Sequence, residues 1–101
     1  MAHMVRHVAP HRHENLVALS IEWTRLDARV QDLWERRSAK VTVDWILRRQ
    51  AAIREMMIGT SAATMAGVGA KHRVATAQGA DALDEDLLES AESDVVRLVY
   101  A

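Results

Sequence analysis

The sequence contains no cysteine and no phenylalanine, and it has only one proline and four glycines. The absence of cysteine excludes disulfides, thiolate metal sites and a cysteine nucleophile. Aromatic residues are limited to three Trp and one Tyr, so the core must consist of aliphatic residues and Met. Ala, Leu and Met favour helices over sheets. The composition therefore predicts an all-α fold.

Long apolar runs are also missing. No stretch of 18 uncharged apolar residues occurs, and the N-terminus lacks the apolar centre of a signal peptide, so we expect a cytoplasmic protein with no membrane segment. The opening MAHM is typical of a cloning scar and is left out of the fold argument. With 101 residues, half of them apolar and 27% charged, the chain is expected to fold as one domain.

Positive and negative charges are unevenly distributed along the chain. Residues 1–80 contain twelve Lys or Arg and seven acids, whereas residues 81–101 contain seven acids and only Arg97. One explanation is an acidic terminal helix that folds back onto a basic body. The other is that this helix covers a basic surface meant for a polyanion. We favour the first, because charge asymmetry describes partners and solubility rather than fold.

An apolar seam runs through the first half of the chain with alternating spacings of three and four residues. Its members are Leu16, Leu19, Trp23, Leu26, Val30 and Leu33. This is the a/d pattern of a heptad repeat, and it predicts helix 1 from Glu14 to Arg37. A seam this narrow needs a partner helix, from the same chain or from a second copy. An ordinary bundle helix is favoured over a dimeric coiled coil, which usually shows three or four heptads.

A turn is expected at the β-branched residues 41–43, followed by helix 2 from Val43 to Ile58 and a stop at Gly59. The predicted apolar face of helix 2 consists of Trp45, Ile46, Ala52, Ile53, Met56 and Met57. Adjacent helices joined by short turns should pack antiparallel.

Helix 3 is predicted from Ala62 to Ala77, with Thr60 or Ser61 as its N-cap. Small residues recur every four positions along it, which allows another helix to approach closely and explains Gly67 and Gly69. Helix 4 follows Gly79, capped by Asp81 or Asp84, and carries an apolar stripe: Leu87, Leu88, Ala91, Val95, Leu98 and Val99. The expected architecture is a small antiparallel bundle of about four helices, complete by itself or completed by dimerisation.

The glycine-containing segment 67–72 does not match a nucleotide-binding motif. A phosphate loop requires two glycines four residues apart followed by Lys and Ser or Thr, and Gly67, Gly69, Lys71 and His72 do not meet that spacing. A third glycine and a preceding strand, which the dinucleotide motif requires, are also missing. No nucleophile or acid can be placed beside His72, so we expect a surface histidine, no cofactor and no enzyme.

Four of the five histidines lie in residues 1–13: His3, His7, His11 and His13. Pro10 interrupts any helical face that they share, and no nearby carboxylate or Cys supplies a further strong ligand. We therefore expect no functional metal site. Residues 1–13 are predicted to form a flexible His-rich tail, and residues 14–101 a single helical domain.

Basic residues cluster around the turn between helices 1 and 2: Arg36, Arg37, Lys40, Arg48 and Arg49. A helix-turn-helix protein places such residues on phosphates. The turn lacks the expected glycine, however, and no array of base-reading Asn or Gln is evident. Nucleic-acid binding through these five residues is therefore the alternative hypothesis rather than the main one.

The run GTSAATMAGVGAKHRVA, Gly59 to Ala75, resembles a segment of short uncharacterised helical proteins of alphaproteobacterial genomes. In those proteins a Thr-rich start leads into an Ala-Gly-Val helix and then an acidic, Leu-rich terminal helix. The resemblance covers about the last half of the chain and implies a bacterial, prophage-linked or mobile-element setting. It implies no activity and no functional residue.

The leading hypothesis from the sequence is a non-enzymatic helical protein-protein interaction module that forms a homodimer and binds an unidentified protein partner. Five residues are expected to form the interface or the core seam: Trp23, Leu26, Val30, Leu33 and Trp45. The heptad seam and the missing catalytic and cofactor motifs support this hypothesis.

Overall fold

The structure is a computed structural model that describes residues 12–37 and 40–100, with the side chains of residues 12–14 excepted. The described residues form four α-helices, one short 3₁₀ turn and no strand. The helices are α1 (Arg12–Glu35), α2 (Lys40–Ile58), α3 (Met65–Thr76) and α4 (Glu85–Tyr100), and the 3₁₀ turn spans Ala80–Ala82. The predicted all-α bundle is confirmed.

Helices α1 and α2 form an antiparallel hairpin. Val30 and Leu33 of α1 are buried against Val43 and Ile46 of α2, in a cluster built from these two helices alone. Further along, the Gln50 amide of α2 donates to the Trp23 carbonyl oxygen of α1 at 3.3 Å. This part of the predicted seam therefore packs against α2 of the same chain.

Helices α3 and α4 pack against the half of this hairpin that contains the start of α1 and the end of α2. Gly67 at the start of α3 lies beside Leu16 of α1, and Gln78 just after α3 donates to Asp27 of α1. The main core lies between these elements, with ten buried residues: Leu16, Ile53, Met57, Ala62, Val68, Ala70, Val74, Ala75, Leu87 and Ala91. Helix α4 runs back along α3, with the Asp84 N–H donating to the Ala75 carbonyl oxygen at 3.0 Å.

The first two helices differ from the sequence prediction at their ends. Helix α1 begins at Arg12 and ends at Glu35, because Arg37 adopts a left-handed φ of 54° that leaves the helix. Helix α2 begins at Lys40, so the turn predicted at residues 41–43 is wrong. β-branched residues are tolerated there because tertiary packing buries Val43, and intrinsic propensity is only a weak preference.

Helix α3 begins at Met65, and the predicted start at Ala62 is wrong. Thr64 is the N-cap residue instead of Thr60 or Ser61, and its side chain makes no capping bond. Gly59 ends α2 without a left-handed φ; among the described glycines, only Gly79 has one, at 96°. Helix α4 agrees with the prediction, since Asp84 caps it by accepting from the Leu87 N–H at 3.2 Å.

The two glycines of α3 have different surroundings. A Cβ on Gly67 would lie 3.0 Å from Ala62 Cβ and 3.0 Å from Leu16 Cδ1, so the predicted close approach is present there. A Cβ on Gly69 would meet only an Arg73 guanidinium nitrogen, at 3.8 Å. The packing explanation therefore holds for Gly67 and fails for Gly69.

Alanine substitution of these two glycines should change stability in opposite directions. Gly69→Ala should raise the free energy of unfolding by about 0.5–1 kcal/mol, because glycine is a poor helix residue and the added methyl would make only an ordinary contact with Arg73. Gly67→Ala should lower it, because overpacking costs about 1–3 kcal/mol and exceeds the helix gain. Urea unfolding of both variants measures the difference, and equal stabilisation by both would contradict the close contact at Gly67.

Candidate interaction surface

Helix α2 carries apolar side chains on the face turned away from the core. Val41 is 79% exposed, Trp45 64% and Met56 40%, and Ala52 is also exposed. We call these four residues the outer stripe. Ala52 lies eleven positions after Val41, and Met56 lies eleven positions after Trp45, which is close to three turns of an α-helix. All four side chains therefore lie along one side of α2.

The sequence prediction did not separate this stripe from the core-facing residues of the helix. It joined three adjacent pairs, residues 45 and 46, 52 and 53, and 56 and 57, into one apolar face. In the structure Ile46, Ile53 and Met57 are buried, whereas Trp45, Ala52 and Met56 are exposed. Neighbouring residues of a helix point about 100° apart, so both members of each pair cannot face the same core. This alternation was the available signal for a second apolar face.

A groove with a volume of about 460 Å³ lies beside one end of the outer stripe, between α1 and the end of α2. Its lining includes Met56 of α2 and Ala18, Leu19 and Glu22 of α1. The Glu22 carboxylate accepts two hydrogen bonds from the Arg49 guanidinium, at 2.7 and 3.0 Å. These bonds lower the pKa of Glu22 and bridge the hairpin next to the stripe. The stripe is therefore bordered on the α1 side by a charged pair.

The five predicted interface or seam residues occupy different environments. Val30 and Leu33 are buried in the cluster between α1 and α2. Trp23 and Leu26 are partly buried and packed against the main core. Trp45 is exposed, so of the five it alone offers a large apolar surface to a partner.

Of the five predicted basic residues, Arg36, Arg37 and Lys40 lie at the turn between α1 and α2. Arg48 and Arg49 lie in the middle of α2, more than two helical turns beyond its start. Arg36 pairs with Asp32 at 3.1 Å, and Lys40 lies 3.8 Å from Asp44. Arg49 is engaged by Glu22. Within the described residues, no carboxylate pairs with exposed Arg37 or Arg48.

A buried ion pair joins α3 to α4 inside the bundle. The Lys71 side chain is fully buried, and its Nζ lies 2.6 Å from Asp94 Oδ2 and donates to Ser90 Oγ at 2.8 Å. The same Asp94 oxygen accepts the Ala62 N–H at 3.1 Å, and its other oxygen accepts from Arg97 at 2.7 Å. Sequence reasoning missed this network, because the context of Lys71, between Ala70 and His72, reads as an ordinary helix surface.

The network fits a structural role better than a catalytic one. Lys71 donates to both Asp94 and Ser90, so it is not poised to accept the serine proton, and burial closes its Nζ to a substrate. The Ser90 hydroxyl donates to the Ile58 carbonyl oxygen at 3.3 Å, and Arg97 donates to the Ala62 carbonyl oxygen at 2.9 Å. These bonds attach the end of α2 and the segment between α2 and α3 to α4.

A second pair joins α2 to the start of α4. The Arg54 guanidinium donates two hydrogen bonds to the Asp84 carboxylate, one of them at 3.0 Å. These bonds lower the pKa of Asp84, which is also the N-cap of α4. In the part of the chain that the structure describes, the ion pairs at the acidic terminal helix thus go to Arg54, Lys71 and Arg97 and not to the turn between α1 and α2.

Among the described residues, no group of three or more His, Asp or Glu is arranged to hold a metal ion. The His-rich segment of residues 1–11 lies outside the described residues, as does the His13 side chain. Across the described helices, none combines the length and apolar character needed to cross a membrane. No family model, curated protein or solved structure matches this chain.

Loss of the Asp94 carboxylate should destabilise the protein more than loss of the Lys71 ammonium. Asp94→Ala leaves a buried ammonium without its counter-charge and the Ala62 N–H without its acceptor, at a cost of about 3–5 kcal/mol. Lys71→Met should cost less, about 0.5–3 kcal/mol, because Asp94 keeps Arg97 and the Ala62 N–H.

Denaturant unfolding of the two variants tests this order. Glu92→Ala is the control, since Glu92 is an exposed acid on the same helix and its loss should cost less than about 0.5 kcal/mol. If Lys71→Met proves as costly as Asp94→Ala, Asp94 is not the central group of the network.

Proposed function

We propose that this chain is a non-enzymatic helical protein-protein interaction module that self-associates through the outer stripe of α2. The observation that carries the proposal is the exposure of Trp45, at 64%, in line with the exposed side chains of Val41 and Met56. Trp contributes strongly to binding when a partner removes it from water, and it is enriched among residues that dominate interface energies.

The arrangement around Trp45 supports an interface rather than a scattered set of exposed side chains. Single exposed apolar residues are ordinary on protein surfaces, whereas several large apolar side chains aligned on one side of a helix mark a contact site. The outer stripe extends over about 22 Å of helix, from a rise of 1.5 Å per residue between Val41 and Met56. Its rim contains the Glu22–Arg49 pair.

The interior polar groups support the non-enzymatic part of the proposal. Among the described residues, no buried side-chain nitrogen or oxygen lacks a hydrogen-bond partner. Lys71, Ser90 and Asp94 all bond to groups that hold the helices together. A group committed to packing in this way is poorly placed to exchange protons with a substrate.

The setting proposed for this module is the bacterial cytoplasm, with a prophage or mobile-element association suggested by the Gly59–Ala75 segment. Besides a second copy, an unidentified protein is proposed as a partner.

Self-association should be lost when a charge is placed in the outer stripe. The unmodified chain should show a light-scattering mass twice that of one chain at high concentration, falling towards the monomer on dilution. Ala52→Glu should weaken the dimer by at least about tenfold, because a carboxylate would be desolvated among Trp45, Met56 and the partner's side chains.

Ala28→Glu is the matched control, because Ala28 is exposed on α1, outside the stripe and its rim. This variant should dimerise like the unmodified chain. A monomeric unmodified chain at the highest attainable concentration would refute self-association, and a dimer unaffected by Ala52→Glu would show that another surface is used.

Nucleic-acid binding through the basic turn remains the second candidate. The observation that favours it is that exposed Arg37 at the turn and exposed Arg48 in the middle of α2 have no acidic partner within the described residues. Arg36 and Lys40 are exposed beside Arg37. Such side chains are available to neutralise phosphates, and neutralisation releases counterions.

This second candidate predicts that a short duplex DNA binds at low salt and dissociates as salt increases. Arg37→Ala with Arg48→Ala should reduce both the affinity and the salt dependence. Arg73→Ala, which removes an exposed arginine of α3, is the control. Binding that is equally strong at both salt concentrations, or that the double substitution leaves unchanged, would remove this candidate. Fluorescence anisotropy of labelled DNA provides the measurement.

A further inference from the structure

We propose that the occupant of the outer stripe is the same stripe of a second copy, with the two α2 helices packed antiparallel across a twofold axis between Arg48 and Arg49. This inference rests on the proposed function and specifies the partner and the geometry. The outer stripe as a whole is exposed in the single chain, so the pairing requires no rearrangement of the core.

The positions of the four apolar residues are symmetric about that axis. Trp45 lies three residues before Arg48, and Ala52 lies three residues after Arg49. Val41 lies seven residues before Arg48, and Met56 lies seven residues after Arg49. Antiparallel pairing therefore places Trp45 opposite the partner's Ala52 and Val41 opposite the partner's Met56. Each contact occurs twice, as a twofold interface requires.

Side-chain volumes favour this register. The largest side chain of the stripe, Trp45, faces the smallest, the partner's Ala52, so the indole has room to lie against the partner helix. Close packing of large against small side chains is what a well-packed helix interface needs. A parallel pairing would instead place Trp45 against the partner's Trp45 and Arg48 against the partner's Arg48.

The charges at the axis are compatible with antiparallel pairing. Arg48 comes level with the partner's Arg49, whose charge is already balanced by the bidentate pair with Glu22. Arg48 has a long, exposed side chain that can carry its own charge away from the axis into water.

The size of the stripe indicates a reversible dimer. A single-helix stripe about 22 Å long should bury less area than a permanent homodimer, whose interface covers roughly 1,000 Å² or more on each partner. The groove beside Met56 widens the contact, because the partner's Val41 and the first turn of its α2 would lie over Leu19 and Glu22.

Disulfide crosslinking distinguishes the two orientations. The chain has no cysteine, so Val41→Cys and Met56→Cys each introduce a single thiol at an exposed site. An oxidised equimolar mixture of the two variants should contain the crosslinked heterodimer as the main product. Each variant alone should give little crosslink, because two copies of one position would be about 22 Å apart, far beyond the ~7 Å that a disulfide spans between Cα atoms.

Efficient crosslinking of each variant with itself, without excess heterodimer, would overturn the antiparallel register. An exchange variant gives an independent test of the Trp45–Ala52 contact. Trp45→Ala and Ala52→Trp should each raise the dissociation constant about tenfold or more, whereas the combined variant restores a Trp opposite an Ala and should return towards the unmodified value. Additive losses in the combined variant would reject the contact.

The light-scattering mass of the unmodified chain distinguishes self-association from its proposed geometry. If the chain is a dimer but fails both the crosslinking and the exchange tests, self-association stands and the antiparallel pairing of the stripes is rejected. An unmodified chain that stays monomeric would reject both self-association and its geometry.

Discussion

The buried pair between Lys71 and Asp94 is the constraint on which the rest of the arrangement depends. Two charges taken out of water are tolerated only when they meet each other and their remaining hydrogen-bonding groups are satisfied. Asp94 meets this condition by binding Lys71 from α3, the Ala62 N–H from the preceding segment and Arg97 from its own helix. Helix α3, the segment before it and helix α4 are therefore held in one relative position. That position places Gly67 against Leu16 of α1, where a side chain would not fit.

This docking explains why α2 has an uncovered face. Helix α3 packs along α1, and α4 packs along α3, with Arg54 and Asp84 making the polar link from α2 to α4. The core takes Ile46, Ile53 and Met57 from one side of α2. The outer stripe lies on the other side, where no helix in the described part of the chain covers it.

The four helices were predictable because their patterns are local: a heptad seam in α1, apolar or small residues at helical spacings in α2 and α3, and an N-cap with an apolar stripe in α4. The start of α3 was not predictable, since residues 60–63 include good caps and alanines that suit a helix. Their conformation is decided instead by Asp94 and Arg97, more than thirty residues away, which bind the Ala62 N–H and carbonyl oxygen. Lys71 was missed for the same reason, because only its distant partner makes burial tolerable. The seam was predicted as a helix contact, but whether its partner belonged to the same chain could not be read from spacing.

The apolar residues of α2 are too many for one face, and this is the physical basis for expecting a partner. A helix that borders solvent normally has one apolar stripe, and a helix with apolar residues around its circumference is normally covered on more than one side. In α2 the polar residues at the centre of the outer face, Arg48 and Arg49, divide the stripe into two equal halves. A helix of another protein would need polar and apolar residues at the corresponding positions. A second copy of α2 already has them, because twofold symmetry aligns the two halves of the stripe. Self-pairing therefore requires no further complementarity than the sequence already contains.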